Sequence, residues 1–287
     1  MSGIAGASAL TVGQALAAEG IDRGEAACLL RAVTAANLAH LIAHPDARLT
    51  PNQTQRFLDL VRRRRKGEPI AYLAGRREFY GLDFEVTPAV LVPRPETELL
   101  VELALERIPD KAPTRVLDLG TGSGAVGVSI AALRPSAEVV AVDASEQALE
   151  LARGNGVRLA GGARLTFLRS DWFSALQGRR FDLILSNPPY VAEGDPHLAR
   201  GDLRFEPRQA LVGGADGLAA IRSIVGEAPR HLFEGGWLLF EHGFDQATAC
   251  RELLEGTGFM DLITAQDLAG IPRVAGGRWL TAGADDR

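Results

Sequence analysis

The chain has 287 residues, of which 46% are hydrophobic and 23% are charged. This composition is that of a globular protein with enough apolar residues for one large or two ordinary domains, and it excludes disordered and fibrous proteins. The net charge of −5 provides no overall basic field of the kind that drives non-specific binding to nucleic acid.

Cysteine and histidine usage limits the cellular compartment and the metal chemistry. Cys28 and Cys250 are the only cysteines and have no partner motif, which indicates a reducing compartment without a disulfide framework or a zinc site. His40 and His44 are one helical turn apart but lack a third ligand, so we predict no metal. Neither a long apolar run nor a basic signal-peptide start is present, and we expect a cytoplasmic protein with no membrane partner.

Residues 1–75 are predicted to form a small all-helical domain. From Thr11 to about Gly75 the sequence is rich in Ala and Leu at helical spacing, with breaks at Pro45 and Pro51. Arg62 to Lys66 is a run of consecutive cations at the end of a predicted helix. This run is either a solvated helix end that complements the helix dipole or a docking patch for an RNA-bearing or acidic partner.

Residues 76–98 are predicted to be a structured linker that contains a β-hairpin. Apolar and polar residues alternate from Glu78 to Val86 around a Gly-containing turn, and Pro93 and Pro95 stiffen the segment that follows. Thr97 stands where an N-cap would begin a helix over Glu98–Arg107. The linker either joins two domains or also roofs the cleft of the next one.

Residues 99–287 begin with the pattern of a nucleotide-type cofactor site. A strand over Arg115–Leu119 leads into a glycine loop and then a helix over Ala125–Leu133. Glycines allow backbone N–H groups and the helix N-terminus to approach a ligand closely. A second strand, from Glu138, ends at Asp143, about 20 residues beyond the loop, where a carboxylate can bind ribose hydroxyls. The predicted loop residues are Gly120, Thr121, Gly122, Ser123 and Gly124.

Two further units of the same kind each deliver a polar or aromatic side chain. A strand over Arg164–Leu168 leads to Trp172, which is either a core residue or a flat face against an adenine ring. An apolar strand over Leu183–Leu185 leads to Asn187-Pro188-Pro189-Tyr190. Because prolines lack an N–H, the Pro188 carbonyl and the Asn187 amide are acceptors that can grip one planar NH2 group, although the same residues also suit a plain turn.

The remaining segments complete a doubly wound, mostly parallel α/β sheet. They are predicted to be a helix, a strand, a helix and a terminal hairpin: Leu218–Leu232, Trp237–Glu241, Ala247–Glu255, and Phe259–Thr264 paired with Arg278–Thr281. Glu241 and His242 follow each other at a strand end and could form an acid–base pair. We give that pair little weight, because transfer from a sulfonium needs no strong base.

These motifs resemble the class I S-adenosylmethionine methyltransferases, which have a Rossmann-like fold. Asp118 to Gly124 is similar to their first motif, and Asn187 to Tyr190 is similar to their amino-methylating signature. Further segments are similar to the release factor glutamine methyltransferases, the HemK family, and together they span nearly the whole chain. They are Gly67–Leu73, Glu78–Leu82, Pro93–Glu98, Asp202–Pro207, Asp216–Leu218 and Asp267–Arg273.

The resemblance implies transfer of a methyl group from S-adenosylmethionine to N5 of the glutamine in the Gly-Gly-Gln motif of class 1 peptide release factors, with S-adenosylhomocysteine as product. In this reading Gly120–Gly124 hold the methionyl end of the cofactor, Asp143 the ribose and Trp172 the adenine. Asn187 and the Pro188 carbonyl accept the substrate N–H bonds, and Tyr190 packs against the amide plane. Pro189 completes the substrate corner, and the helical domain docks the release factor to a monomeric enzyme.

Three other functions share parts of this pattern. A DNA or RNA adenine N6-methyltransferase would use the same corner on a flipped base, but it would need a basic groove. A nicotinamide-dependent dehydrogenase would share the glycine loop and Asp143 and leave Asn187 unexplained. A non-catalytic adapter that binds translation factors would use only the helical domain and the basic run.

One stretch departs from the family pattern. Arg153-Gly154-Asn155-Gly156 stands where the relatives have an acidic residue followed by Asn-Ala. Glycine in a helix costs about 1 kcal/mol relative to alanine, so the length of this helix is in doubt.

Overall fold

A computed structural model describes residues 9–161 and 164–280, which form two compact units. One unit comprises the residues up to Arg77 together with His197–Phe205, and the other comprises Glu78–Pro196 and the residues from Glu206 onward. The domain limits predicted at residues 1 and 287 lie outside the described residues, and the boundaries predicted at 75 and 98 stay predictions.

The first unit contains the predicted helices. Its core packs around Leu29, Leu30 and Phe57, all fully buried. Thr50 begins the longest helix with a capping box to Gln53, which satisfies N–H groups that have no partner inside the helix. From residue 9 onward, the helices of this unit are α1 (Val12–Leu16), α2 (Arg23–Thr34), α3 (Leu38–Ala43), α4 (Pro51–Arg65) and α5 (Ile70–Ala74).

The basic run occupies the last turn of α4, as the helix-end interpretation requires. Arg64 lies between two carboxylates, 2.7 Å from Glu25 and 3.0 Å from Asp202. The neighbouring arginines bond to Asp59, Glu68 and the Glu19 carbonyl. These contacts lie within the unit, and they favour a structural role for the run over a docking patch.

The second unit begins at Glu78, within the predicted hairpin that β1 (Arg76–Phe79) and β2 (Leu82–Glu85) form. The turn residues Tyr80 and Gly81 both have positive φ, which is typical of a two-residue hairpin turn. A 3₁₀ turn, Pro95–Thr97, then leads into α6 (Glu98–Arg107). Thr97 stands at the predicted N-cap position of this helix, but it has helical φ and ψ and its side chain makes no cap hydrogen bond, because its hydroxyl donates to Glu241.

A seven-stranded sheet forms the centre of the second unit, with the order β5-β4-β3-β6-β7-β9-β8. Neighbours from β5 to β7 are parallel, and β9 is antiparallel to both β7 and β8. The strands are β3 (Arg115–Leu119), β4 (Glu138–Asp143), β5 (Arg164–Arg169), β6 (Phe181–Ser186), β7 (Leu232–Glu241), β8 (Met260–Gln266) and β9 (Pro272–Arg278). The helices are α7 (Ala125–Leu133), α8 (Glu146–Leu159), α9 (Ala219–His231) and α10 (Ala247–Thr257).

Both faces of the sheet are covered, which confirms the doubly wound prediction. In β6, Leu183 and Leu185 belong to one apolar core and Ile184 belongs to the other. Helices α6 and α7 contribute to the first core, and α9 and α10 contribute to the second. Across the described ranges, no helix is both long enough and apolar enough to cross a membrane.

The predicted second strand of the terminal hairpin is wrong in position. The strand is Pro272–Arg278 instead of Arg278–Thr281, and Thr281 lies outside the described residues. The proline and the two glycines of this strand have low strand propensity, so the sequence pattern does not predict a strand there. Pairing of Val274 with Glu241 and of Gly276 with Ile263 fixes this segment inside the sheet.

Helix α8 runs unbroken through the stretch that departs from the family pattern, so the doubt about its length is resolved. Asn155 is fully buried in it and accepts a hydrogen bond from the Glu85 N–H at 2.8 Å. Its Nδ2 donates to the carbonyls of Glu85 and Ser123, at 3.0 and 2.9 Å. Asn155 therefore ties the hairpin and the glycine loop to one helix.

The two glycines of α8 should respond oppositely to alanine. At Gly156 a Cβ would lie 2.9 Å from the Leu165 side chain and 3.1 Å from the Phe167 ring, whereas at Gly154 it would meet nothing within 4 Å. We expect Gly156→Ala to lower the free energy of unfolding by about 1 to 3 kcal/mol through overpacking. The control Gly154→Ala should raise it by about 0.5 to 1 kcal/mol. Urea unfolding of the two variants measures both effects, and equal shifts would contradict the packing argument.

Candidate active site

The candidate site lies at the topological switch point of the sheet, between β3 and β6. Leu119 pairs with Val142 on one side and with Ser186 on the other, so the residues that follow these three strands reach one edge. The Ser186 hydroxyl donates to the Leu119 carbonyl at 2.9 Å and locks the two strand ends together. In open α/β sheets this crevice is where ligands bind.

The glycine loop between β3 and α7 is held by backbone contacts. Thr121 N–H donates to the Val142 carbonyl, and Gly122 N–H donates to Asp143 Oδ2, each at 2.9 Å. Gly124 has φ +85°, and a Cβ there would lie 2.8 Å from Val128 Cγ2. Only glycine fits that position, and the loop is therefore a compact cradle in front of the helix N-terminus.

Asp118 organises the inner side of this loop from the end of β3. Its side chain is buried, and Oδ2 accepts from the Thr121 hydroxyl at 2.5 Å and from Gly127 N–H at 3.0 Å. Burial raises the pKa of Asp118 to about 6, and the neighbouring Asp143 charge adds to the shift. Asp118 belongs to the motif seen in the sequence, but its role could not be predicted there, because its two partners are defined only by the folded loop.

Asp143 ends β4 at the predicted position beside the loop. Its Oδ2 accepts from Gly122 and its Oδ1 accepts from Ser145 N–H at 2.9 Å. These bonds orient the carboxylate, and Asp143 lines the central cavity. Its predicted contact with ribose stays a prediction.

A cavity of about 290 Å³ brings together most of the predicted site residues. The residues that line it include Gly120, Thr121, Gly122, Ser123, Asp143, Trp172, Asn187 and Pro189. Ala89 to Leu91, Pro93 and Thr97 line it too, as expected if the linker roofs the cleft. Gly124, Pro188 and Tyr190 are not among the lining residues.

Trp172 lines the cavity in an unusual backbone conformation. Its φ is +46°, which is rare for a bulky residue. Ser170 stabilises the turn, because its hydroxyl donates to the Trp172 carbonyl at 2.7 Å and accepts from Ala175 N–H at 3.0 Å. The ring lies against the glycine loop, where a Cβ on Gly120 would be 3.6 Å from Cζ3. Strain of this kind is concentrated at functional sites.

Asn187 lines the cavity and carries an acceptor that has no partner in the described chain. Its Nδ2 donates to Thr97 Oγ1 at 3.0 Å, and Thr97 Oγ1 donates to Glu241 Oε2 at 2.6 Å. The remaining atom, Asn187 Oδ1, is buried and has no hydrogen-bond partner within the described part of the chain. A buried acceptor without a partner is costly, so this oxygen is suited to a donor brought by a ligand.

Glu241 lies behind the Asn187 corner and was not predicted as a site residue. Its Oε1 accepts from the Tyr190 hydroxyl at 3.1 Å. Burial raises the pKa of Glu241 to about 6, and burial together with the Glu241 charge raises the pKa of Tyr190. His242 Nδ1 donates to the Gly243 carbonyl at 2.8 Å, so Glu241 and His242 bond to separate partners.

The chain matches two family models and has close curated relatives. Residues 96–202 match the methyltransferase small domain, and residues 11–75 match the PrmC N-terminal domain. The release factor glutamine methyltransferase of Burkholderia pseudomallei is 51% identical over 276 residues, which cover 94% of this chain and 97% of the relative.

Two solved structures are similar to the described fold. A methyltransferase from Pyrococcus furiosus has a TM-score of 0.54 at 19% identity and covers 81% of this chain and 100% of its own, which shows the fold alone. A 16S rRNA methyltransferase of T. thermophilus in complex with AdoMet and guanosine has a TM-score of 0.52 at 26% identity. That match covers 71% of this chain and 49% of the other.

Neutralising Asp118 should change how stability depends on pH. The folded state holds the Asp118 proton more tightly than the unfolded state, since the pKa is raised from 3.8 to about 6. The contribution of this group to the free energy of unfolding therefore falls by about 3 kcal/mol as pH rises through that window. Asp118→Asn keeps an acceptor for both bonds and should lack this decline when urea unfolding is measured from pH 4 to 7.

The matched control is Glu227→Gln, which neutralises an exposed carboxylate on α9. We expect the control to follow the pH dependence of the unaltered chain. If Asp118→Asn does so as well, the shifted titration of Asp118 is wrong.

Proposed function

The chain belongs to the family of release factor glutamine methyltransferases, and we propose that it methylates N5 of the glutamine in the Gly-Gly-Gln motif of class 1 peptide release factors. The observation that carries this proposal at the site is the buried, unpartnered Oδ1 of Asn187. A carboxamide NH2 is a donor that satisfies it, whereas the acceptor-only carboxylate of glutamate would face it with like partial charge.

The residues of the glycine loop fit S-adenosylmethionine as the methyl donor. A Cβ on Gly122 would meet nothing within 4 Å, which leaves the loop backbone open toward the cavity. When bound there, S-adenosylmethionine supplies an electrophilic methyl group on a sulfonium. We assign Gly120 to Gly124 to its methionyl end, Asp143 to the ribose hydroxyls and the flat face of Trp172 to the adenine.

The Asn187 corner is assigned to the acceptor substrate. Asn187 Oδ1 and the Pro188 carbonyl each accept one N–H of the glutamine amide, which fixes the plane of the NH2 group and aims its nitrogen at the methyl group. Pro189 keeps this segment rigid. We also assign Tyr190 to packing against the amide plane, although neither Tyr190 nor Pro188 lines the cavity and the Tyr190 hydroxyl donates to Glu241.

No strong base is needed in this scheme. The amide lone pair is delocalised, so the cost of attack lies in orienting the nitrogen rather than in removing a proton beforehand. As the new N–C bond forms, the nitrogen proton becomes acidic, and water or a nearby carbonyl accepts it. We propose no metal in the reaction.

The proposed partner is a class 1 release factor docked by the helical residues 11–75. The match of this segment to the PrmC N-terminal domain and its separate core support a recognition role. We place the protein in the cytoplasm, where release factors act, as a monomer without sequence-specific binding to nucleic acid. Its net charge of −5 supports the last point.

Labelled S-adenosylmethionine tests the function directly. The full chain is incubated with a class 1 release factor, the same factor with Gly-Gly-Ala in place of Gly-Gly-Gln, or duplex DNA, and the label is located by mass spectrometry of the peptides or of the nucleosides. We expect label only on the Gly-Gly-Gln glutamine. Label on adenine would favour the nucleic-acid alternative, and binding without label would favour the adapter.

Asn187→Ala removes the acceptor and should act mainly on kcat. Loss of one preorganised hydrogen bond in such a site costs about 10²- to 10³-fold in rate. Asn187→Asp keeps the shape but adds a negative charge, so it should hold S-adenosylmethionine more tightly and also react slowly. Steady-state kinetics and calorimetry measure the two effects. If Asn187→Ala transfers the methyl group at the rate of the unaltered chain, the Asn187 corner is only a structural turn and has no role in the reaction.

Asp143→Ala should weaken S-adenosylmethionine by about 1.5 to 3 kcal/mol, the scale of hydrogen bonds to a charged group. The variant also removes the acceptor of the Gly122 N–H, which adds to the loss. Glu146→Ala is the control, because it removes an exposed carboxylate at the start of α8. Calorimetry should separate the two variants, and equal affinities would remove Asp143 from the cofactor site.

A further inference from the structure

Glu241 is a buried carboxylate that the proposed reaction does not use directly. It is 1% exposed at the end of β7 and does not line the cavity. Each of its oxygens accepts from a hydroxyl, Oε2 from Thr97 and Oε1 from Tyr190. Burying a carboxylate costs free energy, and packing alone would favour an apolar residue here.

The carboxylate determines the direction of a short hydrogen-bond chain. An ionised carboxylate only accepts, so the single proton of the Thr97 hydroxyl must point to Glu241. The Thr97 oxygen is then left as an acceptor, and it receives the N–H of Asn187 Nδ2. The Asn187 amide can therefore have one orientation only, in which Nδ2 is bound to Thr97 and Oδ1 is left as the acceptor of a residue that lines the cavity.

We propose that Glu241 and Thr97 are positioning residues that hold Asn187 in the orientation that accepts the substrate N–H. The proposal rests on the proposed function, in which Asn187 is that acceptor. If Glu241 gained a proton it would become a donor, and the Thr97 hydroxyl could turn its own proton toward Asn187. The amide would then reverse and present NH2 to an incoming NH2.

The charged groups around Glu241 set the pH at which this reversal occurs. Arg273 on β9 favours the ionised carboxylate, whereas Glu96 opposes ionisation and burial opposes it most strongly. Tyr190 faces Glu241 and stays protonated, because its pKa is raised. Burial lowers the pKa of His242, which favours its neutral form. Glu241, with a pKa raised to about 6, is ionised above that pH and loses its charge as pH falls through it.

Two substitutions at Thr97 test the positioning role in the full chain with a class 1 release factor as substrate. Thr97→Val keeps the shape but removes the hydroxyl, and we expect kcat to fall by about 10- to 100-fold, the usual cost of losing a supporting partner. Thr97→Ser restores the hydroxyl and should recover kcat to within about threefold of the unaltered chain, because the same hydrogen bonds re-form. Because Thr97 lines the cavity, affinity for S-adenosylmethionine is measured in both variants and kcat is compared at saturating cofactor. Equal kcat in the valine and serine variants would overturn the proposal.

The pH profile gives a readout that a purely structural role would not produce. At saturating substrates, kcat of the unaltered chain should decline as pH falls below about 6. Glu241→Gln cannot titrate, so its kcat should not decline in this acidic range. This holds whether its kcat at neutral pH is high or low. An acid limb retained in Glu241→Gln would assign the decline to another group and overturn the role of Glu241. This test stays valid even if Thr97→Val folds poorly.

Asn187→Ala separates failure of this inference from failure of the proposed function. If Asn187→Ala is slow and Thr97→Val is as fast as the unaltered chain, only the positioning inference fails. If Asn187→Ala itself keeps the unaltered rate, the acceptor role fails and the positioning role fails with it.

Discussion

Parallel pairing of β3 with β6 is the constraint on which the whole site depends. Because the carboxyl ends of parallel strands meet at one edge, this pairing places the glycine loop and Asn187 on either side of a single crevice. The register is specific, since a slip of one residue would turn each side chain of β6 to the opposite face and exchange Ile184 with its core neighbours. The bond from Ser186 to the Leu119 carbonyl fixes that register at the point where the two segments diverge.

Two buried carboxylates, Asp118 and Glu241, stand on the two sides of that crevice. Each is almost fully buried, and each has a pKa raised by burial, so each opposes the stability of the fold at neutral pH. Their partners are local: Asp118 holds a threonine hydroxyl and a backbone N–H of the loop, and Glu241 holds two hydroxyls near Asn187. Buried charged groups that lower stability are concentrated at functional sites, because the site needs the geometry that they hold.

The sequence predicts those structural features that depend on residues adjacent in the chain. The strand, glycine loop and helix around Gly120, and the Asn-Pro-Pro-Tyr corner, follow from local chemistry and stand where expected. The bond between Thr97 and Glu241 joins residues 144 apart, and the bond between Asn155 and Glu85 joins residues 70 apart, so no local pattern reveals either. Strand β9 was misplaced for another reason: tertiary pairing holds a proline- and glycine-containing segment in a sheet that its own propensities disfavour.

The position of β9 also bears on how the protein is made. It is the last strand of the described chain, yet it lies between β7 and β8, which precede it. While the polypeptide is synthesised from its N-terminus, β7 therefore has no partner on that side until Pro272–Arg278 has been added. An open strand edge of this kind is a template for pairing with other chains, so this edge of β7 is open to incorrect pairing until the last strand is added. Completion of the sheet and of the Glu241 side of the site is then one late event.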